Sequence, residues 1–371
     1  MRIDTLEPAY HPNHKLGFLI DWLLTLKCNY DCAYCPIGPT GHDNSTNHPS
    51  LENCLLMLEQ MYQYTDVVMS HKKDAFKEAT LNIYGGESVY HPNIIDIIKK
   101  TSEYHDPYKN KWRLRRRITT NGTSTHQNWK DICQHVEGFT MSYHSTGPEK
   151  LKKMFRSNLL YLMEIKKEHD VIVCMYPDKN HWQDCVDFLH WARAKGMRVR
   201  AKMLDGPLGM YTKHQLADIK DFIDPGEFSE WNEKKSAHHQ SRGCCGGRKM
   251  CFNRDLKNSK FMVPRTDNGF QGWHCSANQF FLHGNNVTGL YYTNKDCRVK
   301  LGGETGPIAN IDNMSEHIQQ MKEHKSMPTL ICAQKTCACG TCAPKSVQKE
   351  NLTEILKIYN QNQSAGNEQA R

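Results

Sequence analysis

The sequence has little of what would place it in a membrane or outside a cell. No apolar run approaches the ~20 residues that a spanning helix needs. The run nearest the start, FLIDWLLTL (18–26), is short and carries Asp21. The opening residues, MRIDTLEPAYHPNHKLG, are polar and include acids, unlike a secretory signal. A cytoplasmic protein with no membrane partner is expected. No internal repeat stands out, so a solenoid or propeller is not expected. The 20 histidines form no H-x₃-H pair, and His238-His239 reads as solvent exposed. Charge of one sign is not in large excess: 48 basic against 40 acidic residues give +8. One compact basic run, KWRLRRR (111–117), keeps a nucleic-acid partner open, although a solvated face beside a buried strand is the more ordinary reading.

Cysteine is scarce only in the middle of the chain. Of 16 cysteines, Cys54, Cys133, Cys174 and Cys185 alone lie between residues 36 and 243. They fall in helix- or strand-like patterns and read as core. Three others sit at 28–35 and nine follow residue 243. A secreted disulfide scaffold would be short and carry a signal, so clustered thiols point instead to metal.

From residue 17 to about 222 strand-like and helix-like segments alternate. Strands are expected at 18–26, 79–84, 115–120, 138–143, 170–176 and 197–203. Helices are expected at 50–64, 93–100, 148–169 and 181–196, the last ending at Gly196 as C-cap. Six βα units imply an α/β fold with parallel strands. A partial (β/α)₆ TIM-like barrel and an open doubly wound sheet both satisfy that pattern. The expected division is a core over 1–222, a small Cys-rich C-terminal domain over 223–345, and a C-terminal helix with a disordered tail over 346–371. The Cys-rich part holds too few apolar residues for a core of its own, so metal would have to organise it.

The first strand runs directly into LKCNYDCAYCPIG (26–38). Cys28, Cys32 and Cys35 therefore lie at a strand's C-terminal end, the face where βα folds bind ligands. Three thiolates in one loop suit a [4Fe–4S] cluster with one iron left open. A zinc site that borrows His42 or His48 is the alternative. A ferredoxin site is not, since it needs repeated x₂ spacing and a fourth cysteine.

C-x₃-C-x₂-C after a first strand, with aromatic Tyr34 before the last cysteine, resembles the signature of the radical S-adenosylmethionine (SAM) superfamily. YGGES (84–88), TTNG (119–122) and MSYHS (141–145) end the second, third and fourth strands and are similar to further family motifs in the same order. The resemblance covers roughly residues 15–205. It implies that Cys28, Cys32 and Cys35 hold the cluster, with SAM chelating the open iron. It also implies SAM contacts from Tyr34, Gly85, Gly86, Glu87, Asn121 and Ser142. Gly85 and Gly86 are expected to let backbone approach the ligand, and Glu87 to accept from the SAM ammonium. The reaction implied is reductive cleavage of SAM to a 5′-deoxyadenosyl radical that abstracts substrate hydrogen. No residue beyond the cluster ligands is assigned a catalytic role.

CSANQFFLHGNNVTGLYYTNKDC (275–297) reads as thiols bracketing a hairpin with the turn HGNN. With GPIANI (306–311) and CAQKTCACGTC (332–342) it is similar to SPASM and twitch domains, which hold auxiliary [4Fe–4S] clusters. The 275–297 interval is longer than usual, and the last group departs from the family's spacing. One auxiliary cluster is expected, with Cys275 and Cys297 as ligands and two or more of Cys332, Cys337, Cys339 and Cys342. A zinc ribbon and free redox thiols stay open. CCGGRK (244–249) reads equally as an anion-binding loop through Arg248 and Lys249 or as a turn. Asp205-Gly206, after the sixth strand, faces the barrel mouth and reads as a turn, with substrate contact the alternative.

Such C-terminal domains imply peptide or protein modification. The short segment before the first strand leaves no room for a leader-recognition domain, which weakens a ribosomal-peptide substrate. A small molecule, nucleotide or RNA is the alternative substrate. A flavodoxin- or ferredoxin-type electron donor is implied by the chemistry. The competing non-enzymatic reading is a zinc-stabilised nucleic-acid-binding protein.

Overall fold

The computed structural model describes residues 6–9, 18–35, 48–71, 78–104, 112–204, 211–223, 274–275, 281–286, 289–291, 314–324, 330–331 and 345–348. Two compact units are present: residues 19–235 with 284–288, and residues 1–18, 236–283 and 289–371.

The first unit contains six strands: β1 (Phe18–Thr25), β2 (Glu78–Gly85), β3 (Arg113–Thr120), β4 (Gly138–His144), β5 (Glu168–Met175) and β6 (Val199–Met203). They neighbour one another in chain order, and β2 to β6 pair in parallel. Between and after them run α1 (Leu51–His71), α2 (Ile94–Tyr104), α3 (His126–His135), α4 (Glu149–Glu164), α5 (Lys179–Ala194) and α6 (Lys213–Ile219). The strand order decides between the two α/β readings. A doubly wound sheet reverses direction at a switch point; a sheet that adds every strand to the same side, with right-handed crossovers, winds one way as a barrel wall does. This is the partial barrel, in which β1 and β6 are not neighbours among the described residues. Residues 284–288, which start in β7 (Phe281–Asn285), also belong to this unit.

The elements form where their apolar residues recur. On α2, Ile94, Ile97, Ile98 and Thr101 are buried at helical spacing; on α4, Phe155, Asn158, Leu159 and Leu162 are. In β1, Phe18, Ile20, Trp22 and Leu24 are buried at period two. Tyr143 of β4 stacks on Phe188 of α5 at 3.8 Å between ring centroids. Cys54, Cys133, Cys174 and Cys185 are all buried, as expected of core residues. Gly196 ends α5 at φ +77°, with Met197 N–H donating to Ala192 C=O and Gly196 N–H to Arg193 C=O, a Schellman cap.

α3 and α6 are not announced by the apolar pattern. α3, HQNWKDICQH, buries only Trp129, Ile132 and Cys133 and starts on the Thr125 side chain, which accepts from Asn128 N–H. α6 opens on a capping box between Thr212 and Gln215.

Of the basic run, Arg113–Arg117 form the first part of β3, and Arg115, Arg116 and Arg117 are engaged by the chain's own acids. Arg115 and Arg117 pair with Glu168, Arg116 pairs with Glu137, and Arg117 reaches Asp170 at 3.3 Å. It stands at the end of the strand opposite the cysteine loop.

In the second unit, Leu6–Ala9 pairs antiparallel with Lys345–Gln348, and His274–Cys275 pairs with both Lys345–Ser346 and Leu330–Ile331. A helix spans Met314–His324. Of the segment 346–371, residues 346–348 are strand and the rest lies outside the described residues. The hairpin turn falls later than HGNN: His283, Gly284 and Asn285 belong to β7, and the next strand is Gly289–Tyr291.

Candidate functional site

All strand ends of the parallel sheet point to one rim, and the cysteine loop, residues 26–35, crosses it. Two glycines set where that loop begins. A Cβ on Gly85 would stand 2.2 Å from the Thr25 carbonyl oxygen, and one on Gly86 would stand 2.4 Å from those of Leu26 and Lys27. These glycines therefore let the end of β2 lie against the end of β1, where Gly86 N–H donates to Thr25 C=O and Glu87 N–H to Lys27 C=O, both at 2.8 Å. The backbone they admit is that of Thr25, Leu26 and Lys27.

Glu87 follows and turns inward, with 1% of its surface exposed. Its carboxylate accepts from Thr120 Oγ1 at 2.7 Å, Asn121 N–H at 2.5 Å and Val89 N–H at 3.1 Å. Burial pushes its pKa up to about 7, against the pull of these donors. The side chain thus ties the end of β2 to the end of β3. Asn121 continues the line toward the cysteines: its Nδ2 donates to Asn29 Oδ1 at 2.8 Å and stands 3.9 Å from Cys28 Sγ. Asn29 in turn donates to Thr123 Oγ1 at 2.7 Å.

The three thiols have different surroundings. Cys28 Sγ accepts from Tyr30 N–H at 3.4 Å. Burial, then the Glu87 carboxylate, pushes its pKa up to about 12. Cys32 is 5% exposed, and its pKa is also raised, chiefly by burial. Its sulfur accepts from Thr146 Oγ1 at 3.5 Å and lies 3.8 Å from His144 Nδ1. Cys35 closes a turn, its N–H donating to Cys32 C=O at 2.9 Å. Buried thiols of this kind stay protonated unless a cation offsets the thiolate charge.

His144, the last residue of β4, was missed by sequence reasoning, which took Ser142 from the same segment. Strand alternation puts both on one face, but only His144 reaches the loop. Its Nδ1 is 2.9 Å from the Tyr34 hydroxyl, its ring lies nearly parallel to that of Tyr34 (13°, 5.9 Å), and Tyr30 meets it edge-on. Burial, aided by Lys202, lowers its pKa to about 4, so the ring is neutral near pH 7. Tyr34 also packs against Tyr176, beyond the end of β5. The MSYHS segment held the signal, since a histidine at the very end of the strand points to the rim.

Cys28, Cys32, Cys35, Tyr34, Gly85, Gly86, Glu87 and Asn121 are thus brought to one rim, with Ser142 two residues below it. His48 is engaged elsewhere, its Nδ1 3.0 Å from Thr25 Oγ1 and its ring against His91. Among the described residues, no three His, Cys, Asp or Glu side chains are placed to hold a single metal ion. The triad's soft donor set on one loop still fits a [4Fe–4S] cluster, whose ligands bind separate irons. His42, Asp205-Gly206, His238-His239, Arg248 and Lys249, GPIANI, and Cys297, Cys332, Cys337, Cys339 and Cys342 lie outside the described residues. Cys275 lies on a strand, opposite Leu330 and Lys345.

No protein-family model matches the chain, and no curated protein does. Among solved structures it is similar to "Native anSMEcpe with bound AdoMet and Cp18Cys peptide", at 12% identity over 93% of this chain and 99% of that one, with a TM-score of 0.46. It is similar also to "Native anSMEcpe with bound AdoMet", at 12% identity over 92% and 99%, TM-score 0.45. Likeness at that level leaves the chemistry of the site to its residues. No helix among the described residues is long and apolar enough to cross a membrane.

Proposed function

We propose that this chain is a radical SAM enzyme. The reading is carried by one observation: the three-cysteine loop opens from β1 of a one-way-wound parallel sheet, and the motif residues of β2, β3 and β4 stand at the neighbouring strand ends. Cys28, Cys32 and Cys35 would hold a [4Fe–4S] cluster. Gly85, Gly86, Glu87, Asn121, Ser142 and Tyr34 would border the SAM site, Glu87 and the two glycines by fixing the loop's entry. When bound, cluster and SAM supply one-electron cleavage of a carbon–sulfur bond and a 5′-deoxyadenosyl radical that takes hydrogen from substrate. The chain's own part is to bind, orient and exclude water. Tyr30, Tyr34, His144 and Tyr176 form an aromatic wall at the rim that suits a water-poor site.

A peptide or protein substrate follows from the likeness of the Cys-rich segment to SPASM and twitch domains. One auxiliary [4Fe–4S] cluster at Cys275, Cys297 and members of the 332–342 group belongs to the same reading. In its support, Cys275 pairs with Leu330, two residues before Cys332, and with Lys345, three after Cys342. An RNA substrate loses its main support, since Arg115, Arg116 and Arg117 are satisfied by Glu137, Glu168 and Asp170. A flavodoxin- or ferredoxin-type donor and a cytoplasmic setting complete the proposal.

The test needs no substrate. After anaerobic reconstitution with iron and sulfide, SAM and dithionite are added and 5′-deoxyadenosine is quantified by mass spectrometry. Product is expected from the wild type and none from Cys28→Ala. Equal product from both would overturn the cluster assignment.

A further inference from the structure

The three proposed ligand sulfurs are not equivalent. Cys28 Sγ receives a backbone N–H from its own loop, at 3.4 Å. Cys32 Sγ receives a side-chain hydroxyl from a distant part of the chain, Thr146 Oγ1 at 3.5 Å, across 114 residues of sequence. Thr146 is well anchored for this. It sits in the turn that leaves β4, closed by Gly147 N–H donating to His144 C=O at 3.2 Å. The cysteine is anchored too, by the turn from Cys32 C=O to Cys35 N–H and by its burial at 5% exposure. Beside the pair, His144 holds the Tyr34 hydroxyl at 2.9 Å, so the wall behind the sulfur is polar where it touches and aromatic around.

A donor aimed at a ligand sulfur draws off negative charge. It stabilises the reduced cluster, which carries one more electron, more than the oxidised one. We propose that Thr146 is a positioning residue that, through its hydrogen bond to Cys32 Sγ, raises the reduction potential of the cluster held by Cys28, Cys32 and Cys35. This rests on the cluster assignment proposed above. The effect reaches the reaction through Cys32, since Thr146 itself touches a ligand and not the cluster. Its chemical content is specific: the hydroxyl matters and the methyl does not.

The experiment compares full-length wild type, Thr146→Val and Thr146→Ser after anaerobic reconstitution. Iron and acid-labile sulfide are measured first, and then the EPR signal of the reduced cluster is followed during a redox titration with dithionite, without SAM. Equal iron and sulfide are expected in all three. The Thr146→Val midpoint is expected to be more negative, with a several-fold lower ratio of reduced to oxidised cluster at the wild-type midpoint; a tenfold fall corresponds to about 59 mV for a one-electron couple. Thr146→Ser, which keeps the hydroxyl, is expected to titrate with the wild type. A Thr146→Val midpoint equal to the wild type overturns the proposal. So does a Thr146→Ser midpoint displaced as far as that of Thr146→Val, because the missing methyl would then be the cause. If Thr146→Val fails to take up iron, Thr146→Ala is read in its place against the same two criteria. A wild type that binds no iron and sulfide defeats the cluster assignment itself, and this inference falls with it; that failure is told apart by the metal analysis.

Discussion

Glu87 accepts from three donors at two strand ends, and all three belong to buried residues. Replacing it by methionine keeps the bulk and leaves Val89 N–H, Thr120 OH and Asn121 N–H without their acceptor. Each buried donor left so costs about 1–3 kcal/mol. The expected result is a melting temperature lower by several degrees in the metal-free protein, read by circular dichroism. The pH dependence follows from the carboxyl's pKa, raised from 4.5 to about 7 by burial. Between those values the native state binds a proton that the unfolded chain has released, so the group's contribution is full below pH 4.5 and is lost as pH rises through 7. The gap in melting temperature between wild type and Glu87→Met should therefore be widest near pH 5 and narrow toward pH 8. A gap that widened with pH would reverse the sign assigned to this group. Glu87 was legible as a motif residue, but its inward direction was not, because a motif states which residue is present and not which way it turns.

The ends of α4 and α5 are matched at the level of the element. Both close with the same cap, and α5 has glycine at the left-handed position while α4 has Lys166, at φ +53°. Lys167 N–H donates to Leu162 C=O and Lys166 N–H to Met163 C=O, as in α5. A side chain in this conformation costs roughly 1 kcal/mol relative to glycine. Lys166 is exposed and bears no ion pair among the described residues, so Lys166→Gly is expected to raise stability by about 0.5–1 kcal/mol, measured by urea denaturation. A loss of stability would show that the lysine contributes something the cap geometry does not contain. The helices that sequence reasoning found, α1, α2, α4 and α5, carry dense apolar stripes. α3 and α6 do not, and their capping residues Thr125 and Thr212 were the signal available.

At the scale of the molecule, the barrel unit is completed by a distant piece of chain. Trp22 of β1 is fully buried, and its indole N–H donates to Asn286 Oδ1 at 2.7 Å. The Asn286 amide also donates to Asn53 C=O at 3.3 Å, at the start of α1. Residues 284–288 thus belong to the same compact unit as 19–235. Asn286→Ala leaves the tryptophan donor unsatisfied and is expected to cost about 1–3 kcal/mol, with a blue shift or change of intensity in tryptophan fluorescence and a lower melting temperature. Unchanged stability would mean that the 284–288 segment is not needed by the barrel.

The alternation of strand and helix and the place of three thiols at the end of the first strand were legible in the amino-acid order, because side-chain periodicity and cysteine spacing are local properties of the chain. The order of the strands was settled only by tertiary structure. Periodicity reports which face of a strand is buried and is silent on which strand lies beside it, so a one-way barrel wall and a doubly wound sheet share one pattern. The surroundings of each sulfur were settled there as well. Cys32 and Thr146 are 114 residues apart, and they meet because β1 and β4 end on the same rim, a consequence of parallel pairing that no local stretch of sequence contains.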